Sequence, residues 1–192
     1  MLVNNAGIGV GGNIETCDFD DWKRCFAINV DSIFHGCQKA LPLMRDWLHD
    51  TFFVLNGDTL FDAPLPRLAE LLMSTGASGA VALRAVEDSS RYGSVILQDD
   101  RIASFGEKAA SGPGLINGGL YAFRRRVIDR LGSPSSIETE LLPALAEEGD
   151  LVGLHSDGFF IDIGLPETLA DAQRSVPAWW SSRAASGAAG AT

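Results

Sequence analysis

The chain has 192 residues, 46% of them hydrophobic and 21% charged, a composition that fits one globular domain or at most two small ones. Twenty-five acidic side chains against fifteen lysines and arginines leave a net charge of −10, which excludes a sizeable nucleic-acid footprint and docking on anionic lipid, because both need clustered cations. No apolar run reaches the roughly 18 residues of a membrane span, and the N-terminus lacks the basic-then-apolar plan of a signal peptide, so a cytoplasmic protein with no membrane partner is expected.

In chain order, Met1–Asn5 reads as a short strand running into a glycine-rich turn, Gly7 to Gly12. From Asp18 the pattern is helical: Phe19, Trp22, Phe26, Ile33, Cys37, Leu41 and Met44 recur at three- and four-residue steps as far as Trp47. Asp18 or Asp20 can cap this helix, and Pro42 kinks it or lies near its end. Thr51–Leu55 is a continuous apolar run of the kind shown by a buried parallel strand, and it stops at Asn56-Gly57-Asp58. Strand, helix, strand predicts a βαβ unit with parallel strands and a right-handed crossover.

Beyond Asp58 the alternation continues. Leu65 to Ser74 is helical and closed by Gly76, and Gly79 to Val86 is a strand. Gly93 to Gln98 and Arg101 to Phe105 form a hairpin around Asp99-Asp100. Gly118 to Phe123 is a strand followed by a short helix, and Arg124, Arg125, Arg126 and Arg130 form that helix's solvated face. Ser136 to Glu148 is helical with a break expected at Pro143. Leu151 to His155 and Phe159 to Ile163 are the last strands, Pro166 opens a final helix, and a disordered tail is expected from Ala178. Cys17, Cys25 and Cys37 lack paired spacing and read as reduced thiols. His35, His49 and His155 show no ligand spacing and read as structural.

Leu2-Val-Asn-Asn-Ala-Gly7, Trp22, Phe26-Ala-Ile-Asn29-Val30 and Ala40-Leu-Pro-Leu-Met44 resemble the middle of a short-chain dehydrogenase/reductase. The resemblance implies a strand beside a cofactor, with Asn29 organising a proton relay. That family's Tyr-x-x-x-Lys pair does not follow: Tyr92 and Tyr121 carry Ile96 and Arg125 at the lysine position. Gly7, Gly9 and Gly12 satisfy G-x-G-x-x-G, but no helix opens there and no acidic residue ends a second strand, so no cofactor site is assigned to them. Thr75 to Gly79 follows a helix and reads as turn chemistry.

Residues 51 to about 175 carry a second ordered set: Val54-Leu-Asn-Gly-Asp58, Ser90-Arg-Tyr92-Gly93, Glu107-Lys108, Ile116-Asn117-Gly118-Gly119-Leu-Tyr121, Ile137-Glu138 and Phe160-Ile-Asp162-Ile-Gly164-Leu-Pro166-Glu167. Together they resemble the second half of a sugar-1-phosphate nucleotidyltransferase, and within that group the guanylyltransferases acting on mannose- or heptose-1-phosphate. The resemblance implies an α/β fold, a three-layer Rossmann-like mixed sheet of GT-A-like type, incomplete here. It implies that Asp58 and Asp162 bind Mg2+ and that Lys108 faces the sugar phosphate, these three being the catalytic set. Tyr92, Gly93, Glu107, Asn117, Gly118, Gly119 and Glu138 fall on the sugar side. The implied reaction takes an NTP and a sugar-1-phosphate to an NDP-sugar and pyrophosphate.

The residue types suit that chemistry. Attack of a sugar phosphate on an NTP gathers several anions, and a hard divalent cation held by one or two carboxylates offsets their repulsion. A lysine point charge suits the sugar's phosphate, and glycines at 118 and 119 let backbone approach a ligand closely. Asp162, flanked by Phe159, Phe160, Ile161 and Ile163, is a carboxylate that needs a partner.

The nucleotidyltransferase family's N-terminal half carries a glycine-rich triphosphate loop, a Pro-Lys-Pro lysine and base-reading residues, and the reductase-like piece stands in their place. The expectation is a chimeric chain in which 1–46 packs with 51–177 as one unit, 178–192 is a disordered tail, and turnover is poor or absent. Two alternatives stay open, an NAD(P)-dependent reductase fragment and a non-catalytic interaction module. The sheet edge at the junction is a candidate surface for homo-oligomer formation.

Overall fold

Ala80, Val81, Ala82 and Leu83 are consecutive and fully buried, which places their strand inside a sheet covered on both faces. The computed structural model describes residues 16–28, 49–92, 94–106, 112–132 and 136–188. The chain divides into two compact units, Met1–His49 and Asp50–Thr192.

In the first unit, α1 spans Phe19–Phe26, and the Asp18 side chain caps it by accepting from the Asp20 amide at 2.7 Å. The expected strand at 1–5 and the remainder of the expected helix, 29–47, lie outside the described residues.

In the second unit the strands are β1 (Thr51–Leu55), β2 (Thr59–Phe61), β3 (Gly79–Val86), β4 (Val95–Gln98), β5 (Arg101–Phe105), β6 (Gly114–Arg124), β7 (Leu151–His155) and β8 (Phe160–Asp162). Six of them form one mixed sheet in the order β1-β6-β3-β7-β5-β4, and β2 pairs β8 in a separate ribbon. β3 and β7 run parallel, while β6 is antiparallel to β1, β3 and β4. The helices are α2 (Leu65–Thr75), α3 (Leu142–Glu147) and α4 (Pro166–Ala188).

Strand period separates two cores. Ala80, Ala82, Ala122 and Val152 pack with Leu68 and Leu72 of α2, small side chains that let the helix approach closely. Val81, Leu83, Tyr121, Phe123 and Leu151 point the other way and pack with Leu142 and Leu145 of α3. Helix, sheet and helix make the three expected layers.

Local chemistry sets several boundaries. Gly76 ends α2 in the left-handed region at φ 71°, and Asp99 takes φ 55° in the β4–β5 hairpin. Pro143 causes no break. A π-helical turn over Ile137–Leu141 passes directly into α3, and Pro143 falls in the first turn of α3, where its missing N–H costs little.

Four further expectations change. β1 is antiparallel to β6, with Thr51 facing Arg124 and Leu55 facing Leu120, and it stands at the end of the sheet order. Its apolar run conceals an alternation: Phe52 and Val54 pack on the α3-side core, whereas Phe53 and Leu55 are exposed. Second, β2 was not expected, because Asn56-Gly57-Asp58 reads as the end of a strand rather than the turn between two. Third, the arginine cluster is bonded rather than merely solvated. Arg124 donates to the Ala77 and Leu72 carbonyls, and Arg126 to Gly76 O at 2.9 Å and Ser78 Oγ at 2.7 Å, satisfying the carbonyl end of α2. Fourth, α4 continues through 178–188, where a tail was expected. Trp179 stacks on Phe159 at 5.1 Å and Arg183 pairs with Asp62, so this alanine-rich stretch gains tertiary contacts besides good helix propensity. No helix among the described residues is long and apolar enough to cross a membrane.

Candidate active site

The β2–β8 ribbon brings the two candidate metal aspartates together. Thr59 faces Asp162 in antiparallel register, so Asp58, just before β2, and Asp162, at the end of β8, fall at the same end. The Ile163 amide donates to Asp58 O at 2.8 Å and closes that end. A Cβ built on Gly164 would lie 3.0 Å from Asp162 Oδ1 and 4.0 Å from Asp58 Oδ2, so both carboxylates flank the same stretch of backbone. The Gly164 amide donates to Asp162 Oδ1 at 2.6 Å, and the Arg91 guanidinium stands 3.9 Å from Asp162 Oδ2. These are the partners that a carboxylate among apolar neighbours requires.

The pair forms part of the wall of a cleft of about 410 Å³. Asn56, Arg91, Tyr92, Asn117, Gly119, Glu138 and Phe160 line it as well. Glu138 Oε1 accepts from the Tyr121 hydroxyl and from Asn56 Nδ2, each at 3.4 Å. Asn117 donates to the Tyr121 oxygen at 2.9 Å and accepts the Gly119 amide at 3.0 Å. Burial, with the Glu138 charge adding to it, pushes the Tyr121 phenol up to about 12, so the phenol stays a donor at neutral pH. Burial and the neighbouring Asp162 carboxylate also raise Tyr92, against the lowering effect of Arg91. Tyr92 packs edge-on against Phe160, with ring centroids 6.3 Å apart.

The cleft thus brings together Asp58, Tyr92, Asn117, Gly119, Glu138 and Asp162. Gly118 is placed differently. A Cβ there would run into the Phe61 ring and come within 2.8 Å of the Ala82 carbonyl oxygen, so its close approach serves packing of the ribbon on the sheet. Gly119 takes φ 70°, and a Cβ on it would meet the Asn56 side chain at 3.1 Å. Gly93, Glu107 and Lys108 lie outside the described residues, although Gly106, the residue before Glu107, lines the cleft. Asn29, of the dehydrogenase-like set, also lies outside them. Asn56 and Arg91 line the cleft too and were not expected there, although each stands inside a motif of the family resemblance, Val54-Leu-Asn-Gly-Asp58 and Ser90-Arg-Tyr92-Gly93.

Among the described residues no group of three or more His, Cys, Asp and Glu side chains could hold a metal ion. Two carboxylates at one end of a polar cleft do suit Mg2+, which takes few protein ligands and leaves the rest to phosphates and water.

The sequence profile of a family described as Nucleotidyl transferase matches residues 21–178, opening inside the stretch 1–46 that sequence reading set apart. The chain is 37% identical over 138 residues to the mannose-1-phosphate guanylyltransferase catalytic subunit beta of Dictyostelium discoideum, covering 69% of this chain and 38% of that protein. Mannose-1-phosphate guanyltransferase of Neurospora crassa is 37% identical over 159 residues, covering 77% of this chain and 44% of that protein. Among solved structures, HddC from Yersinia pseudotuberculosis matches with a TM-score of 0.59 at 28% identity, over 69% of this chain and 59% of that one. The same protein complexed with GMP-PN gives a TM-score of 0.58 at 27% identity. The chain spans about two-fifths of the length of these curated relatives.

Proposed function

Because the chain belongs to the nucleotidyl transferase family, we propose that its cleft holds the sugar phosphate and Mg2+ in a reaction joining an NTP to a sugar-1-phosphate, with release of pyrophosphate. Its relatives' names point to mannose-1-phosphate and GTP as the substrates. The observation that carries this reading is the joint placement of Asp58 and Asp162 beside Gly164, in a cleft whose walls include Asn56, Asn117 and Glu138.

Each part of the cleft has a task that its chemistry suits. Asp58 and Asp162 would hold the cation, which when bound offsets the charge of the phosphates. Glu138 accepts and the Asn56 and Asn117 amides both donate and accept, a set suited to sugar hydroxyls. Tyr92 and Phe160 offer an aromatic wall to the sugar ring. Lys108, two residues beyond Gly106, would place its ammonium on the sugar's phosphate. A sugar phosphate is already an anionic nucleophile, so positioning and electrostatics carry the reaction and no general base is required. For these 192 residues alone the expected turnover is low, because the described lining holds a single lysine or arginine, Arg91, against the combined charge of a triphosphate and a sugar phosphate. Pyrophosphate release as fast as that of a full-length relative would overturn this last point.

Calorimetry on the full chain tests the assignment. Mg2+ uptake should weaken at least about tenfold in both Asp58→Asn and Asp162→Asn, the loss of one charged ligand. Glu138→Gln should weaken mannose-1-phosphate binding and leave Mg2+ uptake unchanged. Equal Mg2+ affinity in the wild type and both aspartate variants would refute the metal assignment.

A further inference from the structure

Arg91 differs from the well-bonded arginines of this unit. Arg124 and Arg126 donate to main-chain carbonyls at the end of α2. Arg91 is 43% exposed and makes no hydrogen bond among the described residues; its ion-pair distance to Asp162 Oδ2 is 3.9 Å, beyond hydrogen-bond length. Asp162 does not depend on it for orientation, since the Gly164 amide holds Oδ1 at 2.6 Å. The guanidinium lies 5.1 Å from the Tyr92 ring centroid, so an aromatic face supports it whichever anion it meets. Around it the described lining carries three carboxylates, Asp58, Glu138 and Asp162. A phosphate dianion entering such a cleft is repelled unless cations accompany it.

We propose that Arg91 is an exchangeable counter-ion. It pairs with Asp162 until a divalent cation takes that carboxylate, and the freed guanidinium then binds the phosphate of the sugar-1-phosphate. This rests on the function proposed above. The exchange keeps Asp162 compensated at each stage and couples metal arrival to substrate capture. Arginine suits the second role because its planar fork matches phosphate oxygens two at a time.

The inference makes one substitution act with opposite signs on two ligands. Calorimetry on the full chain would measure Mg2+ binding without phosphate, and mannose-1-phosphate binding at saturating Mg2+, for wild type, Arg91→Gln and Arg91→Lys. Arg91→Gln should bind Mg2+ about three- to tenfold more tightly, having lost a competing cation beside Asp162. It should bind mannose-1-phosphate about tenfold more weakly. Arg91→Lys should fall between wild type and Arg91→Gln in both. Unchanged circular dichroism and melting of Arg91→Gln would show that it folds; if it melts early, Arg91→Lys supplies the same comparison. An Arg91→Gln protein in which both affinities fall, or neither moves, overturns the exchange and leaves the proposed function standing. A wild-type chain that takes up neither Mg2+ nor mannose-1-phosphate overturns the function and this inference with it.

Discussion

Tyr121 is 1% exposed and contributes to the larger-residue core, yet its hydroxyl reaches the Asn117 and Glu138 side chains of the cleft. Burial favours the neutral phenol and pushes it up to about 12, from an ordinary value of 10.0. The folded chain therefore holds a proton that the unfolded chain releases first. The resulting stability is present below pH 10.0 and is lost as the pH climbs towards about 12. The chain has two tyrosines, so phenolate absorbance can resolve them. A step near pH 12 should disappear in Tyr121→Phe while the Tyr92 step remains. At this scale the sequence was informative where a residue type carries its own chemistry: Asp58, Asp162 and Glu138 all line the cleft. It was uninformative for Asn56, whose role depends on Gly119, a distant neighbour that bonds its amide at 2.8 Å.

Elements with strong local signals lie where the sequence puts them. α2 ends at a glycine, β3 spans Gly79–Val86, and the β4–β5 hairpin turns at Asp99-Asp100. The β2–β8 ribbon had no such signal on its first strand, because three residues show no period. Yet that ribbon holds Asp162 and starts beside Asp58, the two aspartates proposed to bind Mg2+, and Gly118 sets how closely Phe61 of β2 approaches β6. Gly118→Ala should push the Phe61 ring away from the sheet, at a cost of about 1–3 kcal/mol for overpacking. Because Asp58 and Asp162 ride on the same ribbon, the variant should also bind Mg2+ more weakly. Urea unfolding and Mg2+ calorimetry on one preparation would check both effects, and a loss of stability with unchanged Mg2+ affinity would uncouple the ribbon from the site.

For the whole molecule, binding and stability are linked through the folded state. Mannose-1-phosphate with Mg2+, at about a hundred times its dissociation constant, should raise stability by about 2.7 kcal/mol and the melting temperature by about 5–10 °C. The same ligand without Mg2+ should shift melting much less, which differential scanning calorimetry would show. The three-layer architecture was legible because periodicity and turn residues are local, and local chemistry acts on neighbouring residues whatever the rest of the chain does. The family was legible because its motifs recur in order from Val54 to Glu167. Partnership was not. β1 runs antiparallel to β6 although its apolar run reads as a parallel strand, and Asp162 meets Arg91, 71 positions earlier in the numbering. Strand direction and ion pairing depend on which distant segments the packed sheet brings face to face, and no window of neighbouring residues contains that information.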